Sequence, residues 1–96
     1  MEFEWDAGKA RESLRKHGVS FEQATKAFLD PLGIEWIDDR DDHGEERTIL
    51  LAMANVSLLL VVYTDRGEND DDISIRLISA RRATRDEEDY YYRENG

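Results

Sequence analysis

"RTILLAMANVSLLLVVYT" (47–64) decides the fold class. Two apolar runs, 47–54 and 57–64, flank Asn55–Val56, and asparagine accepts the left-handed backbone that a tight hairpin loop demands. The second run is apolar at successive positions from Leu58 to Val62. Period-two alternation would mark a strand with one wet face; an unbroken run marks a central strand covered on both. Something must therefore pack against each side of this hairpin.

The candidates lie outward along the chain. "ISIRLISA" (73–80) reads as a further strand, with Ile73, Ile75 and Leu77 on one face and Ser74, Arg76 and Ile78 on the other. "GIEWID" (33–38) alternates Ile34, Trp36 and Asp38 against Glu35 and Ile37, which suits a partly exposed strand. "FEWD" (3–6) is a short first strand that places Asp6 to cap a helix over "AGKARESLRKHG" (7–18). Ala10 and Leu14 share one face of that helix and Gly18 terminates it. Ser20 with Gln23 opens a second helix, striped by Phe21, Ala24, Ala27 and Phe28 and stopped by Pro31. Thr84 with Glu87 opens a third, whose first turn carries Asp86, Glu87 and Glu88 where the helix dipole favours acids. The order is β-α-α-β-β-β-β-α, an α+β domain spanning 1–96 with a small, mostly antiparallel sheet.

The totals agree with one compact unit. The chain has 96 residues, 40% hydrophobic and 38% charged, with the apolar residues gathered into periodic runs. It has no cysteine, which excludes a disulfide scaffold and any thiolate metal site. No apolar stretch is long enough to span a membrane and no secretory signal pattern opens the chain, so the expected setting is the cytoplasm without membrane attachment.

A net charge of −10 repels nucleic acid and attracts basic partners, but the charge is uneven. Residues 38–46 hold six acids and 65–72 hold five. Bases gather at Lys9, Arg11, Arg15 and Lys16, and again at Arg76, Arg81, Arg82 and Arg85. Arg76, inside a strand with apolar neighbours, needs either an acidic partner or an open face where its planar fork can hold a phosphate. Arg66 joins it if the two strands are neighbours. His17, at a helix C-terminus beside Lys16, is either a capping residue or a group that titrates near neutral pH. The acidic stretches "DDRDDHGEE" (38–46, with His43) and "DRGENDDD" (65–72) match no metal-ligand spacing and read as solvated loops, so no metal or cofactor is expected. "YYY" (90–92) cannot turn wholly inward on a helix, so at least one tyrosine is exposed to stack on a base or meet a protein.

In order along the chain, "FEWDAGKARESLRKHGVSFEQA" (3–24), "EERTILLAM" (45–53), "VVYTDRG" (61–67) and "IRLISARRATRDEEDYY" (75–91) resemble the BrnT family of toxins nearly end to end. That resemblance implies a RelE-like ribonuclease fold and the toxin of a type II toxin–antitoxin pair, cleaving RNA without a metal and halting translation. It also implies a BrnA-like ribbon-helix-helix antitoxin, through which alone operator DNA is bound, and an RNA substrate either free or presented by the ribosome. The matching positions are Lys16, His17, Glu46, Arg47, Tyr63, Thr64, Arg66, Arg76, Ser79 and Arg81. On that basis Arg66, Arg76 and Arg81 are expected to hold the scissile phosphate. Glu46 or His17 is the expected base, Tyr63 an acid or a stacking ring, and Lys16, Arg47 and Arg82 additional RNA contacts. The alternative is a catalytically inactive binding module that keeps the fold and the partner interface, with the arginines anchoring partner side chains.

Overall fold

The computed structural model describes residues 1–39, 45–67 and 73–96. Its elements are β1 (Glu2–Trp5), α1 (Ala7–His17), α2 (Phe21–Thr25) running into a 3-10 turn (Lys26–Leu29), β2 (Ile34–Asp38), β3 (Arg47–Ala54), β4 (Ser57–Asp65), β5 (Ser74–Arg82) and α3 (Arg85–Asn95). The expected α+β order is found. One sheet of five strands runs in the order β1-β5-β4-β3-β2. The β2–β3, β3–β4 and β4–β5 pairings are antiparallel, and β1 joins the far edge parallel to β5.

Local signals set the element ends. Asp6 accepts the Lys9 amide at 2.9 Å, Ser20 the Gln23 amide at 3.0 Å, and Thr84 with Glu87 forms a reciprocal capping box. Gly18 closes α1 at φ 68°, and Asn55 turns the β3–β4 hairpin at φ 59°.

The hairpin is covered on both sides, as its unbroken apolar run requires. Leu50, Ala52, Leu59, Val61, Tyr63, Ile75 and Leu77 meet Val19, Phe21, Ala24 and Ala27 from the N-terminal helices. On the opposite face Ile49, Leu51, Leu58, Leu60 and Val62 pack with Tyr91 of α3. Phe28 adds a tilted ring contact to Phe3 and an edge contact to Tyr63, with centroids 5.1 and 5.0 Å apart.

Two details differ from the sequence reading. Leu14 is 56% exposed, and the buried position of α1 is Ser13. The Ser13 hydroxyl lies 3.0 Å from the carbonyl oxygens of Val19 and Ala80. A polar residue belongs there because β1 stops opposite Leu77, leaving the next part of β5 at a sheet edge that α1 closes with a hydrogen bond. The alternation of β5 also breaks. Val62 stands opposite Ser79 but Tyr63 opposite Leu77, so Ile78 is an extra residue in a bulge, after which Ala80 faces the same core as Ile75 and Leu77.

Candidate nucleic-acid interface

The α3 side of the sheet is divided. Over its hairpin half, α3 packs Tyr91 against the core and sets Tyr90 edge-on to Trp36, with centroids 6.4 Å apart. Beyond Trp36 the face turns polar. Asp38 stands opposite Arg47, Thr64 opposite Arg76, and Arg76 opposite Glu4. Thr48 stands opposite Tyr63, so its neighbour Arg47 comes opposite Thr64. Directly opposed residues share a face. One cross-strand row therefore runs Glu4, Arg76, Thr64, Arg47, Asp38 through all five strands: two guanidinium groups flank a hydroxyl, and a carboxylate stands at each end.

The middle of this row is dry and its arginines are partly open. Thr64 is 1% exposed and its hydroxyl oxygen has no hydrogen-bond partner among the described residues. Arg76 reaches Glu4 at 3.4 Å, with a third of its own side chain and nearly half of the glutamate's exposed. Arg66 follows β4 directly, and its amide donates to the Ser74 carbonyl at 2.7 Å, which holds it against the start of β5. Its guanidinium meets Glu45 at 3.1 Å across a similarly open contact. Such half-solvated pairs are worth at most about 1 kcal/mol and give way readily to a stronger anion. Glu46 is exposed beside Arg47 at the same end of the sheet. Arg66, Arg76, Arg47 and Glu46 thus lie at one end of the sheet, which for Arg66 and Arg76 requires β4 and β5 to be neighbours, as they are.

Arg81 and Arg82 do not join them. Five residues along β5, Arg81 lies roughly 15 Å from Arg76 at strand spacing. It grips Glu87 with both terminal nitrogens, at 2.8 and 2.9 Å. Glu87 also accepts the Thr84 amide at 2.8 Å, and the Arg81 guanidinium holds its carboxyl below the ordinary glutamate range. Arg82 is exposed and donates to Ser57 at 3.2 Å. After the bulge at Ile78, Arg81 stands opposite Leu60 on the α3 side of the sheet and Arg82 opposite Leu59 on the other.

Lys16 and His17 end α1 and line a groove of about 180 Å³ with Lys9, Glu12, Ile78 and Ser79, at the open edge of β5. Glu12 draws Arg15 to 2.6 Å and Lys16 to 3.2 Å, and these contacts lower its carboxyl pKa. Tyr63 lies on the opposite face from Arg76. It is buried, its ring packs on Phe28, and its hydroxyl donates to Glu35 at 2.9 Å. Burial, then the Glu35 carboxylate, pushes that hydroxyl well above the usual tyrosine range. A ring so enclosed offers no face to a base.

Sequence reasoning gave no role to Thr64, although its alternation with Tyr63 already put it on the Arg76 side if the strands paired. Of the tyrosine triplet, Tyr90 and Tyr92 are exposed and Tyr91 is buried. Among the described residues no group of three acids and histidines is placed to hold a metal; His43 and most of both acidic stretches lie outside them. No helix among the described residues is long and apolar enough to cross a membrane.

What the row can do chemically is grip a singly charged phosphodiester from two sides, with a neighbouring carboxylate for proton transfer. Compared with known families, the chain matches the family model of BrnT, the ribonuclease toxin of type II toxin–antitoxin systems, over residues 5–87. The chain belongs to the BrnT family. Membership supplies the class of its target, RNA, and a partner, an antitoxin. In this BrnT chain the matched span takes in α1 through β5 and the first turn of α3, so Arg66, Arg76 and the Arg81–Glu87 clasp fall inside it and the tyrosines of α3 fall outside. No curated protein matches the chain at a significant level.

Proposed function

We propose that this BrnT chain is a metal-independent endoribonuclease that stops translation and is silenced by a BrnA-like ribbon-helix-helix antitoxin, which alone brings the pair to operator DNA. The observation that carries the site is the placement of Arg66 and Arg76 at one end of the sheet, each paired among the described residues with a half-exposed carboxylate. A phosphodiester displaces Glu45 and Glu4 and takes the two guanidinium forks. The adjacent RNA 2′-hydroxyl then attacks phosphorus, the 2′-O–P bond forms and the P–O5′ bond breaks. Cyclic phosphate is left on one fragment and a 5′-hydroxyl on the other. The arginines meet the charge that builds on the phosphorane oxygens. Glu46 takes the 2′ proton, being on the same sheet end, and the departing 5′ oxygen takes a proton from water; His17, across the edge of β5, is the alternative base. Lys16 and Arg82 contact flanking phosphates, Arg47 adds a contact to the phosphate held by Arg76, and Arg81 serves by fixing α3.

The antitoxin covers the polar half of this face and the adjoining cleft of about 300 Å³ between Trp36, Leu51, Asp86, Glu87 and Tyr90. Aromatic walls with acids at the rim suit a basic segment carrying one bulky apolar side chain. The chain acts in the cytoplasm, on RNA that is free or ribosome-bound.

A labelled single-stranded RNA incubated with the protein in excess EDTA tests the reading. Cleavage by the parent and not by Arg76→Ala supports it. A second reading, an inactive module that only binds its partner, is favoured by the acidic partners of Arg66, Arg76 and Arg81 and by the charge of −10. Intact RNA with both proteins, with and without ribosomes, selects that reading.

A further inference from the structure

Thr64 is out of place as a purely structural residue. It is 1% exposed, on the arginine-bearing face of the central strand, and its hydroxyl oxygen is without a partner among the described residues. Leaving a buried hydroxyl unpaired costs a protein free energy that valine, of the same shape, would avoid. Such a cost is commonly kept where a ligand completes the bond. The ligand's chemistry is set by the neighbours. Arg76 stands directly opposite on β5 and Arg47 comes opposite on β3, so the hydroxyl lies between two cations, neither of which can accept its proton. An anion placed between them can accept from the hydroxyl and from both guanidinium groups at once.

We propose that Thr64 is a phosphate-binding residue, its hydroxyl donating to a non-bridging oxygen of the RNA phosphodiester held by Arg76 and Arg47. This rests on the reading of that face as the RNA site and adds a neutral donor at its centre. The anion draws the Arg76 guanidinium off Glu4, and the movement of the arginine side chains brings the phosphate down to the hydroxyl.

Stability and binding should move independently. The probe is a short single-stranded RNA with 2′-O-methyl groups, which can bind but cannot be cleaved, titrated by fluorescence anisotropy at low salt. Thr64→Val melts at or above the parent temperature and binds at least about tenfold more weakly, the scale of one hydrogen bond to a charged group. Thr64→Ser, which keeps the hydroxyl, recovers most of the binding. If Thr64→Val binds like the parent, or melts well below it, the proposal is overturned. Should the parent itself bind no better than Arg76→Ala, the RNA site is elsewhere and both readings fall together.

Discussion

Tyr91 donates a 2.6 Å hydrogen bond to Asp30, joining α3 to the turn that ends the N-terminal helices. The same carboxylate accepts the amides of Met53 at 2.8 Å and Leu32 at 2.9 Å. One acid thereby ties β3, the β2 approach and α3 together. Tyr91→Phe keeps the ring in its core and leaves Asp30 with its two amides. It should cost about 1–3 kcal/mol, the worth of a hydrogen bond to a charged group, read as a lower urea midpoint with an unchanged slope.

The same contact gives stability a pH dependence at both limits. Burial opposes ionisation of Asp30, yet the Met53 amide, the Tyr91 hydroxyl and the Leu32 amide together hold its pKa below the ordinary 3.8. A depressed carboxyl adds stability above its unfolded pKa and loses it as pH falls through the folded value. Glu87, lowered by Arg81, acts in the same sense. Tyr91 is pushed up to about 12 by burial and by Asp30, from 10.0. A raised pKa is stabilising below pH 10 and the gain is lost as pH rises toward 12. Urea midpoints should therefore fall below about pH 4 and again above pH 10. Tyr91→Phe should flatten the alkaline limb; an unchanged limb would show that Tyr91 does not carry it.

Arg81 and Arg76 share a strand but should fail in different ways. Arg81→Ala removes a bidentate clasp on the first turn of α3 and should lower stability by about 1 kcal/mol or more. Amide exchange in α3 should quicken accordingly. Arg76→Ala breaks a half-exposed pair and should change the melting temperature little while abolishing RNA cleavage. Thermal melts and cleavage assays on the two variants side by side check the division.

Much of this fold was readable because its signals are local. Asp6, Gly18, Ser20, Asn55 and Thr84 each govern a turn within three residues of themselves, and the structure ends its elements there. The unbroken apolar run of β4 announced a strand covered on both faces. What could not be read depended on pairing across the chain. Leu14 and Ser13 both suit a helix face, and only the exposed edge of β5 decides which turns inward. Ile78 in a bulge changes the side on which every later residue of β5 points, and no local pattern marks it. Arg66 beside Arg76, and Arg81 apart from both, follow from that register and from the arrival of α3. Tyr63 and Thr64 are adjacent in sequence, yet one is sealed in the core and the other faces the arginines.

Ser13 offers a check on the edge closure. Its hydroxyl is buried between two carbonyl oxygens, one on the loop after α1 and one on β5. Ser13→Ala removes the donor and leaves both acceptors dry, at a cost of about 1–3 kcal/mol. Urea unfolding of this variant should show that loss, with local amide exchange fastest around Val19 and Ala80.

On the proposed reading, Glu4 should compete with RNA for Arg76. In the free protein it sits at 3.4 Å on the guanidinium, from the neighbouring parallel strand. Glu4→Gln keeps the shape of the side chain and removes the charge, so a phosphate need not displace an anion to reach the arginine. Affinity for the 2′-O-methyl RNA should rise by up to about fivefold at low salt, the upper value of an exposed pair. The gain should shrink at 0.5 M salt, where charges on the surface are screened within a few ångströms. Arg76→Ala combined with Glu4→Gln should show none of it. If Glu4→Gln strengthens binding equally with and without Arg76, the effect is one of net charge and the pair does not gate the site.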